Sequence, residues 1–532
     1  MTDLFEKVQT IMEDSMKVNN IPGAAVAVIK DCEVIFAKGF GRTAVEEWGS
    51  PIRTDTLFRI ASVSKLFTGT LVMMLVEKGL IDLDQPVQAY VPWFTAADQE
   101  WSNEITIRML LSHTSGLPTG GDLSSEHTLD EYMREVVPTL PVLFHPGTAY
   151  SYGNHALNIA GFVAEQVTNK PFASLMQELL FEPLKMTQTT YDPLKAMTYP
   201  LAMPHHKNDR AELEVLHQFY NDMESYPSYY AFSSIKDLCQ FALMHLQEGV
   251  YEGQQIISAS SLQEMRTQQT RWFKLTDAGC GISFFQESKG GIKRFWHYGQ
   301  YGSQYSSQFI LVPEKGIAVI ALANGENIFQ AGYKIVDALL DQSSQDDIDS
   351  APSEGLPDLS AYEGTFLHSY KGLITILKDD GNWFLKHNDQ TYDLLRHSID
   401  TYYTRDHNGA VTFTVGFPAC SAEQPSKCIM INGKASPEFK QIYTANTADW
   451  INYEGTFSNG RDTYKVSIQG NSLIIKDQQT SQELETEAIA SNLFMTDYGL
   501  VSFTEINRTI DLVFDNAWRF PKLGIQAPVI QQ

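Results

Sequence analysis

The sequence has few cysteines and no arrangement of them that suits a metal. The five cysteines among 532 residues form no CxxC pair and no Cys/His cluster, and they lie at Cys32, Cys239, Cys280, Cys420 and Cys428. Zinc sites built from cysteine need such spacing, so we expect no metal and no other cofactor. Reduced, mostly buried thiols are predicted, and a Cys420–Cys428 disulfide is left open.

Long apolar runs and a secretion signal are also missing. The N-terminal segment MTDLFEKVQTIMEDSMKV is amphipathic and acidic, without the basic start and apolar core of a signal peptide. The most apolar segment, residues 71–76, is too short to cross a bilayer. Together these features predict a cytoplasmic protein that makes no membrane contact.

Positive charge is scarce. The chain carries 39 Lys and Arg against 64 Asp and Glu, a formal net charge of -25. Such a surface repels phosphate backbones and anionic lipids, so nucleic acid is excluded as a partner. With 43% hydrophobic and 19% charged residues the chain can build a core. We expect a small-molecule or short peptide substrate as its partner and leave a homo-oligomer open.

The hydrophobic patterns of the first 342 residues predict an α+β domain. Strand patterns stand at both ends of this region, and helices and loops dominate between them, which favours an antiparallel sheet flanked by helices. Helices are predicted at 4–17, 62–78 and 330–340, and strands at 24–29, 34–37, 294–296, 307–312 and 317–322.

The rest of the chain repeats itself. A polar, proline-bearing linker at 343–358 is followed by YEGTF at 362–366 and again at 453–457, and each copy leads into a hairpin pattern. These patterns predict two small antiparallel β-barrel modules. The predicted boundaries are 1–342 for the first domain, 343–358 for the linker, 359–445 for module 1 and 446–532 for module 2.

An S-x-x-K motif supplies a candidate nucleophile. Positions three apart share a helix face, so Lys65 would reach the hydroxyl of Ser62 and could act as the base that a serine needs. Helix capping is the alternative for Ser62. A second S-x-x-K, from Ser233 to Lys236, fits capping better because Ser234 and Asp237 resemble an N-cap with an acid at N3.

Two further short motifs follow in order. Tyr152-Gly153-Asn154 offers a phenol for proton transfer and an amide for the substrate, or else an ordinary turn. His297-Tyr298-Gly299 comes just after a predicted strand, where a glycine lets a substrate approach. The backbone N–H of Gln300 would then join that of Ser62 as an oxyanion hole.

In this order the three motifs resemble the serine β-lactamase and penicillin-binding-protein family. The Tyr-x-Asn and H-x-G elements are similar to the class C, esterase and D-aminopeptidase branch, and so are the segments ITIRMLLSHTSGLP, PGTAYSYGNHALNIAG and LVPEKGIAVIALAN. The resemblance implies Ser62, Lys65 and Tyr152 as catalytic residues, with Asn154, His297 and Gly299 at the substrate. With the two-module tail it also implies lipocalin-like barrels and the layout of D-aminopeptidases, in which a tail loop reaches the active-site mouth.

Two departures from the family bear on the substrate. No K-T-G occurs in the chain, which disfavours β-lactam hydrolysis and wall cross-linking, and Tyr229 and Tyr230 stand where relatives have two glycines. We expect these tyrosines at the substrate pocket, or in the core. The best prediction is a D-stereospecific aminopeptidase or amidase. The alternatives are a carboxylesterase, a nonribosomal-peptide hydrolase or cyclase, and a catalytically silent scaffold or β-lactam-binding protein.

Overall fold

The computed structural model describes most of the chain. It covers residues 2–120, 127–208, 210, 212–217, 221–342, 359–418, 428–439, 447–458, 463–470, 472–478, 482–490, 492–497, 499–506, 509–514 and 518–521. The predicted linker and Cys420 lie outside these residues. Among the described helices, none has the length and apolar character needed to cross a membrane.

An eight-stranded antiparallel sheet forms the centre of the first domain. Its strands are β1 (Gly23–Lys30), β2 (Glu33–Gly41), β3 (Thr270–Arg271), β4 (Ala278–Cys280), β5 (Phe285–Lys289), β6 (Ile292–Tyr301), β7 (Tyr305–Val312) and β8 (Ile317–Ala323). Their spatial order is β2-β1-β8-β7-β6-β5-β4-β3, so the N-terminal hairpin pairs with the last strand.

Helices cover both faces of this sheet. The longer ones are α1 (Thr2–Asn19), α2 (Ser64–Glu77), α3 (Asn154–Thr168), α4 (Ile235–Leu246) and α5 (Phe329–Leu339). Shorter helices lie at Gln99–Ser102, Ile107–Leu111, Leu129–Glu135, Phe172–Met176, Pro193–Ala196, Tyr226–Tyr229 and Ala259–Arg266. Small β-pairs occur at Phe58–Arg59 with Phe232–Ser233, at His205–Lys207 with Leu213–Val215, and at Val250–Tyr251 with Gln254–Gln255.

The sequence of β1 is a continuous run of apolar residues and does not alternate between apolar and polar ones, because both faces of the strand are buried. Ala25 and Ala27 belong to the core shared with α2, α3 and α4, whereas Val26 and Val28 belong to the core under α1 and α5. A strand between two helical layers has no solvent face on which to place polar residues. The predicted α+β architecture is therefore confirmed.

Two predicted elements differ from the structure in a way that matters for the site. Ser62 precedes α2, in the 3-10 turn Ala61–Val63, rather than on the first α-helical turn. The strand β6 runs through the His297 motif instead of ending before it. The second S-x-x-K is a cap as predicted, because the Asp237 N–H donates to Ser234 Oγ at 3.2 Å and Lys236 is exposed.

The tail repeats one plan of strands. Each module has a four-stranded and then a five-stranded antiparallel sheet within the described residues, and no closed barrel is detected there. Module 1 has strands Gly364–His368, Gly372–Asp379, Asn382–His387, Gln390–Asp393, Leu395–Arg396, Thr401–Arg405, Val411–Gly416, Cys428–Ile431 and Lys434–Pro437. Module 2 has Gly455–Ser458, Thr463–Gln469, Ser472–Asp477, Glu483–Glu485, Glu487–Ala490, Leu493–Thr496, Gly499–Ile506, Thr509–Phe514 and Trp518–Pro521.

One hairpin of module 1, residues 428–437, rests on the first domain, and we call it the docking hairpin. Its turn residues Asn432 and Gly433 have φ of 51° and 81°, as a type I′ turn requires. Cys428 and Met430 are fully buried in the same apolar cluster as Trp272 of the first domain. The tail is therefore packed against the sheet edge next to β3.

A buried cation lies under the site. Arg59 is 3% exposed, and its guanidinium carbon lies 4.1 Å from the ring centre of Tyr230 and 4.3 Å from that of Tyr301. Burial alone would lower the pKa of Arg59, but the two tyrosines and the buried carboxylate of Asp222 raise it. Arg59 therefore stays charged and balances a buried acid.

We expect Arg59→Met to destabilise the protein by about 3 kcal/mol, because it removes one partner of a buried charge pair. Arg53→Met is the matched control, since Arg53 is exposed and pairs only with its neighbour Asp55. Chemical denaturation of both variants checks this. Equal losses of stability in the two would contradict a specific role for the buried charge.

Candidate active site

A strained turn presents Ser62. Ala61 lies in the left-handed region with φ 45°, a conformation that is unfavourable for a residue with a Cβ. The Ser64 hydroxyl holds this turn, because it donates to the Ala61 carbonyl at 2.7 Å and accepts from the Ala231 N–H at 3.1 Å. Ser62 itself stays partly exposed, as a nucleophile must.

Lys65 lies one helical turn after Ser62 and is completely buried. Its Nζ lies 3.1 Å from Ser62 Oγ and donates to Asn154 Oδ1 at 2.6 Å and to the Ser228 carbonyl at 2.9 Å. Thr68, one turn further along α2, donates to the Pro227 carbonyl at 2.6 Å and fixes the segment that carries Ser228. Three separate chain segments therefore converge on one amine.

Burial lowers the pKa of Lys65 well below its ordinary value. Within the described residues no ion pair involves Lys65, so no carboxylate restores its charge. A neutral amine has two hydrogens, and the fixed acceptors on Asn154 and Ser228 can take both. The nitrogen lone pair would then face Ser62, which is the geometry that a general base requires.

Tyr152 and Asn154 lie at the start of α3, where Gly153 is the N-cap. The hydroxyl of Tyr152 is hydrogen-bonded to the side chain of Ser62, and the Lys65 amine lies 4.8 Å from the centre of the Tyr152 ring. Burial raises the pKa of Tyr152 strongly, although the hydrogen bond to Ser62 opposes the shift. Tyr152 is therefore a neutral phenol that can donate and accept protons.

The strand β6 forms the opposite wall. His297 is almost completely buried, its ring stacks on Phe285 at 4.3 Å, and its Nδ1–H donates to the Tyr298 carbonyl at 2.7 Å. Burial is the main reason that the pKa of His297 is lowered to about 3, and a positive charge on Lys65, when that amine is protonated, acts in the same direction. Its Nε2 is buried and has no partner within the described residues, so it remains an acceptor.

Gly299 allows β6 to lie against the turn that carries Ser62. A Cβ at this position would lie 2.4 Å from the Ile60 carbonyl oxygen and 2.5 Å from Ser307 Oγ. The adjacent residue Gln300 pairs with Ser306 on β7, and its side chain is exposed. The absence of a side chain at 299 thus decides how close the strand and its backbone come to Ser62.

The two tyrosines predicted near the substrate lie in the core instead of the pocket wall. Tyr230 is fully buried against Arg59, and Tyr229 is 4% exposed and accepts a hydrogen bond from Ser225 Oγ at 2.8 Å. Tyr301 also packs on Arg59, and Tyr305 donates to the Ala202 carbonyl at 2.7 Å. Of the tyrosines near the third motif, Tyr298 is the one that is partly exposed.

Sequence reasoning missed three contributors. The Ser228 carbonyl acts through the backbone, so no residue type could reveal it, and the position of Phe285 on the next strand depends on the sheet register. His113 is more informative, since its Nδ1 accepts the Gly153 N–H at 3.2 Å and its ring lies 4.6 Å from Tyr152. His113 lies in the segment LLSHTSGLP, one of those that resemble the family, so the sequence offers a signal for this residue.

The geometry defines a class of protein: a serine hydrolase fold with a buried lysine beside a partly exposed serine. The β-lactamase family model matches residues 8–340. Penicillin-binding protein 4 of Amycolatopsis lactamdurans is 31% identical over 327 residues, which are 58% of this chain and 82% of that protein. Esterase EstB of Burkholderia gladioli is 31% identical over 221 residues, 38% of this chain and 55% of that protein.

A solved structure extends the similarity to the tail. The octameric penicillin-binding protein homologue from Pyrococcus abyssi has a TM-score of 0.56 at 18% identity, covering 97% of this chain and 100% of that chain. At this identity the similarity concerns the fold. The chain belongs to the β-lactamase family of serine hydrolases, among which penicillin-binding proteins and an esterase are its relatives.

We expect Gly299→Ala to lower kcat/KM by about 100-fold, because displacement of a reacting group by about 1 Å has effects of this size. The added methyl group would push β6 away from the turn at Ile60. Gln300→Ala is the control, since it keeps the backbone N–H and removes only an exposed side chain. Steady-state kinetics together with thermal unfolding check this. Wild-type kcat/KM in a folded Gly299→Ala protein would contradict it.

The acidic limb of the pH profile of kcat/KM should report the protonation of the Lys65 amine. Because its pKa is lowered, we expect the free base to be available well below pH 10, and kcat/KM to fall as pH drops and the amine binds one proton. His297 is neutral above pH of about 3, so His297→Gln should leave the position of this limb unchanged. Profiles of kcat/KM for both proteins test this. A limb that disappears in His297→Gln would assign the titration to the histidine.

Proposed function

We propose that this protein is a serine hydrolase that forms an acyl-enzyme on Ser62. The observation that carries the proposal is the buried Lys65 amine, 3.1 Å from Ser62 Oγ, with two other acceptors for its hydrogens. A serine hydroxyl is a weak nucleophile and becomes reactive when an adjacent base removes its proton. The same distance weighs against the alternative of a catalytically silent scaffold.

Lys65 takes the Ser62 proton while Ser62 Oγ attacks an amide or ester carbonyl. The carbonyl oxygen becomes an oxyanion and accepts hydrogen bonds from the backbone N–H groups of Ser62 and Gln300. The bond to the leaving group then breaks, and the proton on Lys65 passes to the leaving amine or alcohol. Tyr152 relays this proton, because a neutral phenol that is hydrogen-bonded to Ser62 can give one proton and accept another.

Water completes the cycle. The neutral Lys65 amine, with Tyr152, removes a proton from a water molecule that attacks the acyl group, and Ser62 recovers its hydrogen when the acid leaves. Asn154 uses its Oδ1 for Lys65, which leaves its Nδ2 to donate to the substrate. The unpartnered Nε2 of His297 accepts from the substrate, for example from an amine or amide N–H. No step needs a metal or another cofactor.

For the substrate, we propose a small peptide or amide with a D-residue at its amino end. The absence of K-T-G supports this, because a neutral, buried His297 cannot attract a substrate carboxylate as a lysine does. The two-module tail is consistent with the D-aminopeptidase layout. The matched esterase supports short acyl esters as the second candidate. A nonribosomal-peptide substrate, a homo-oligomer and a cytoplasmic location stay predictions.

We expect Ser62→Ala to lower kcat by about 10,000-fold or more, because it removes the atom that forms the covalent bond. The hydrolysis rates of the wild-type protein and of Ser62→Ala are measured on a panel of substrates. The panel contains D- and L-alanyl p-nitroanilide, p-nitrophenyl butyrate and a chromogenic cephalosporin. Preferential cleavage of the D-anilide supports the aminopeptidase, and cleavage of the ester alone supports the esterase.

The second S-x-x-K supplies the control. Ser233 is buried and hydrogen-bonded to Thr189, so Ser233→Ala should keep catalysis and lose at most some stability. Mass spectrometry after reaction with a fluorophosphonate probe should locate one adduct on Ser62. A Ser62→Ala protein with full activity, or an adduct on another serine, would overturn the proposal.

A further inference from the structure

A cavity of about 280 Å³ lies beside Tyr152, between the first domain and the tail. Its size is just below the range of about 300–1,000 Å³ that is usual for small-molecule sites. The first domain contributes mainly aromatic side chains, namely Tyr150, Tyr152, Trp272, Phe285, Trp296 and Tyr298. We call this cavity the aromatic pocket.

The aromatic side chains support one another. Phe285 lies at the centre of the cluster, with ring-centre distances of 4.9 Å to Trp296, 5.1 Å to Trp272 and 5.9 Å to Tyr152. Trp272 in turn lies 5.5 Å from Tyr150. Edge-to-face and tilted packing of this kind keeps rings in place, so the pocket wall is preformed rather than assembled by a ligand.

The tail supplies the remaining wall. Its apolar part consists of Ala435 and Pro437 of the docking hairpin, Leu367 of module 1 and Leu500 of module 2. The polar residues Ser369, Asn432 and Lys434 of the tail and Lys274 of the first domain also line the pocket. A Cβ on Gly433 would lie 3.6 Å from that of Trp272, so the hairpin turn rests directly on an aromatic wall residue. The Leu500 N–H donates to the Ser369 carbonyl at 3.0 Å, which links the two modules at the pocket.

Tyr152 connects the pocket with the proposed acyl transfer at Ser62. Its ring lines the pocket, and its hydroxyl is hydrogen-bonded to the Ser62 side chain. The group that protonates the leaving atom lies next to the leaving part of the substrate. We infer that the aromatic pocket binds the leaving group of the substrate and selects amines or alcohols that carry an aromatic or large apolar substituent. This inference rests on the proposed function, since it needs acyl transfer at Ser62.

Substrates that differ only in the leaving group test the inference. The series consists of D-alanyl propylamide, 2-phenylethylamide and 2-(naphthyl)ethylamide, with butyrate esters of the corresponding alcohols as a parallel set. Their leaving groups lack an α-substituent and are attached through the same CH₂, so they differ little in reactivity. We expect kcat/KM to rise by about 10-fold or more from propyl to naphthylethyl, as burial of an aromatic ring would give.

A variant that fills the pocket provides the second arm. Ala435 is half-buried in its wall, so Ala435→Trp should fill the pocket and abolish the preference for the larger leaving groups. Ala410→Trp is the matched control, because Ala410 is exposed in the same module and does not line the pocket. Thermal unfolding and fluorophosphonate labelling of Ser62 show whether each variant is intact.

Inhibition of the wild-type protein requires no variant. We expect 2-(naphthyl)ethylamine to inhibit competitively at concentrations at which propylamine has no effect. A labelled, active enzyme that shows neither a preference nor this inhibition overturns the inference and leaves the proposed function intact. An enzyme whose Ser62 is not labelled and that cleaves no member of either series overturns the proposed function itself.

Discussion

The site depends on keeping one amine out of water. Lys65 is fully buried without a carboxylate partner among the described ion pairs, and burying a lone ammonium is so unfavourable that the group instead loses its proton. The surrounding structure compensates with two neutral acceptors, Asn154 Oδ1 and the Ser228 carbonyl. Burial therefore makes Lys65 a weaker base but keeps its amine unprotonated beside Ser62, so that it can accept a proton.

The rest of the architecture serves this arrangement. The 3-10 turn Ala61–Val63 provides Ser62, and the helix α2 that follows it provides Lys65. The helix α3 begins at Asn154, and Ser228 belongs to a short helix held by Thr68. Opposite them, the sheet brings β6 against the turn of the nucleophile because residue 299 has no side chain. The geometry of the candidate site is thus a product of the packing between the helical layer and the sheet, and the tail adds a further wall beside Tyr152.

Much of the site could be predicted because its parts are local. In the first S-x-x-K the spacing of three residues brings Lys65 to Ser62 within one turn, and the turn before α3 presents Tyr152 and Asn154 two residues apart. The two YEGTF copies likewise marked modules with the same plan of strands. The failures were nonlocal: Tyr230 lies against Arg59, about 170 positions earlier, and Tyr229 lies against Tyr301, and no periodicity encodes either neighbour.

The sequence by itself determined the α+β order of elements, the residue types that can carry the chemistry and their spacing within each segment. Local propensity and side-chain periodicity act over a few residues, and this information is contained in any short window. Only the tertiary structure decided that Lys65 is shielded from water and that its amine donates to the Ser228 carbonyl. It also decided that the docking hairpin completes an aromatic pocket beside Tyr152. Desolvation and packing depend on residues hundreds of positions apart, so they exist only after the chain has folded.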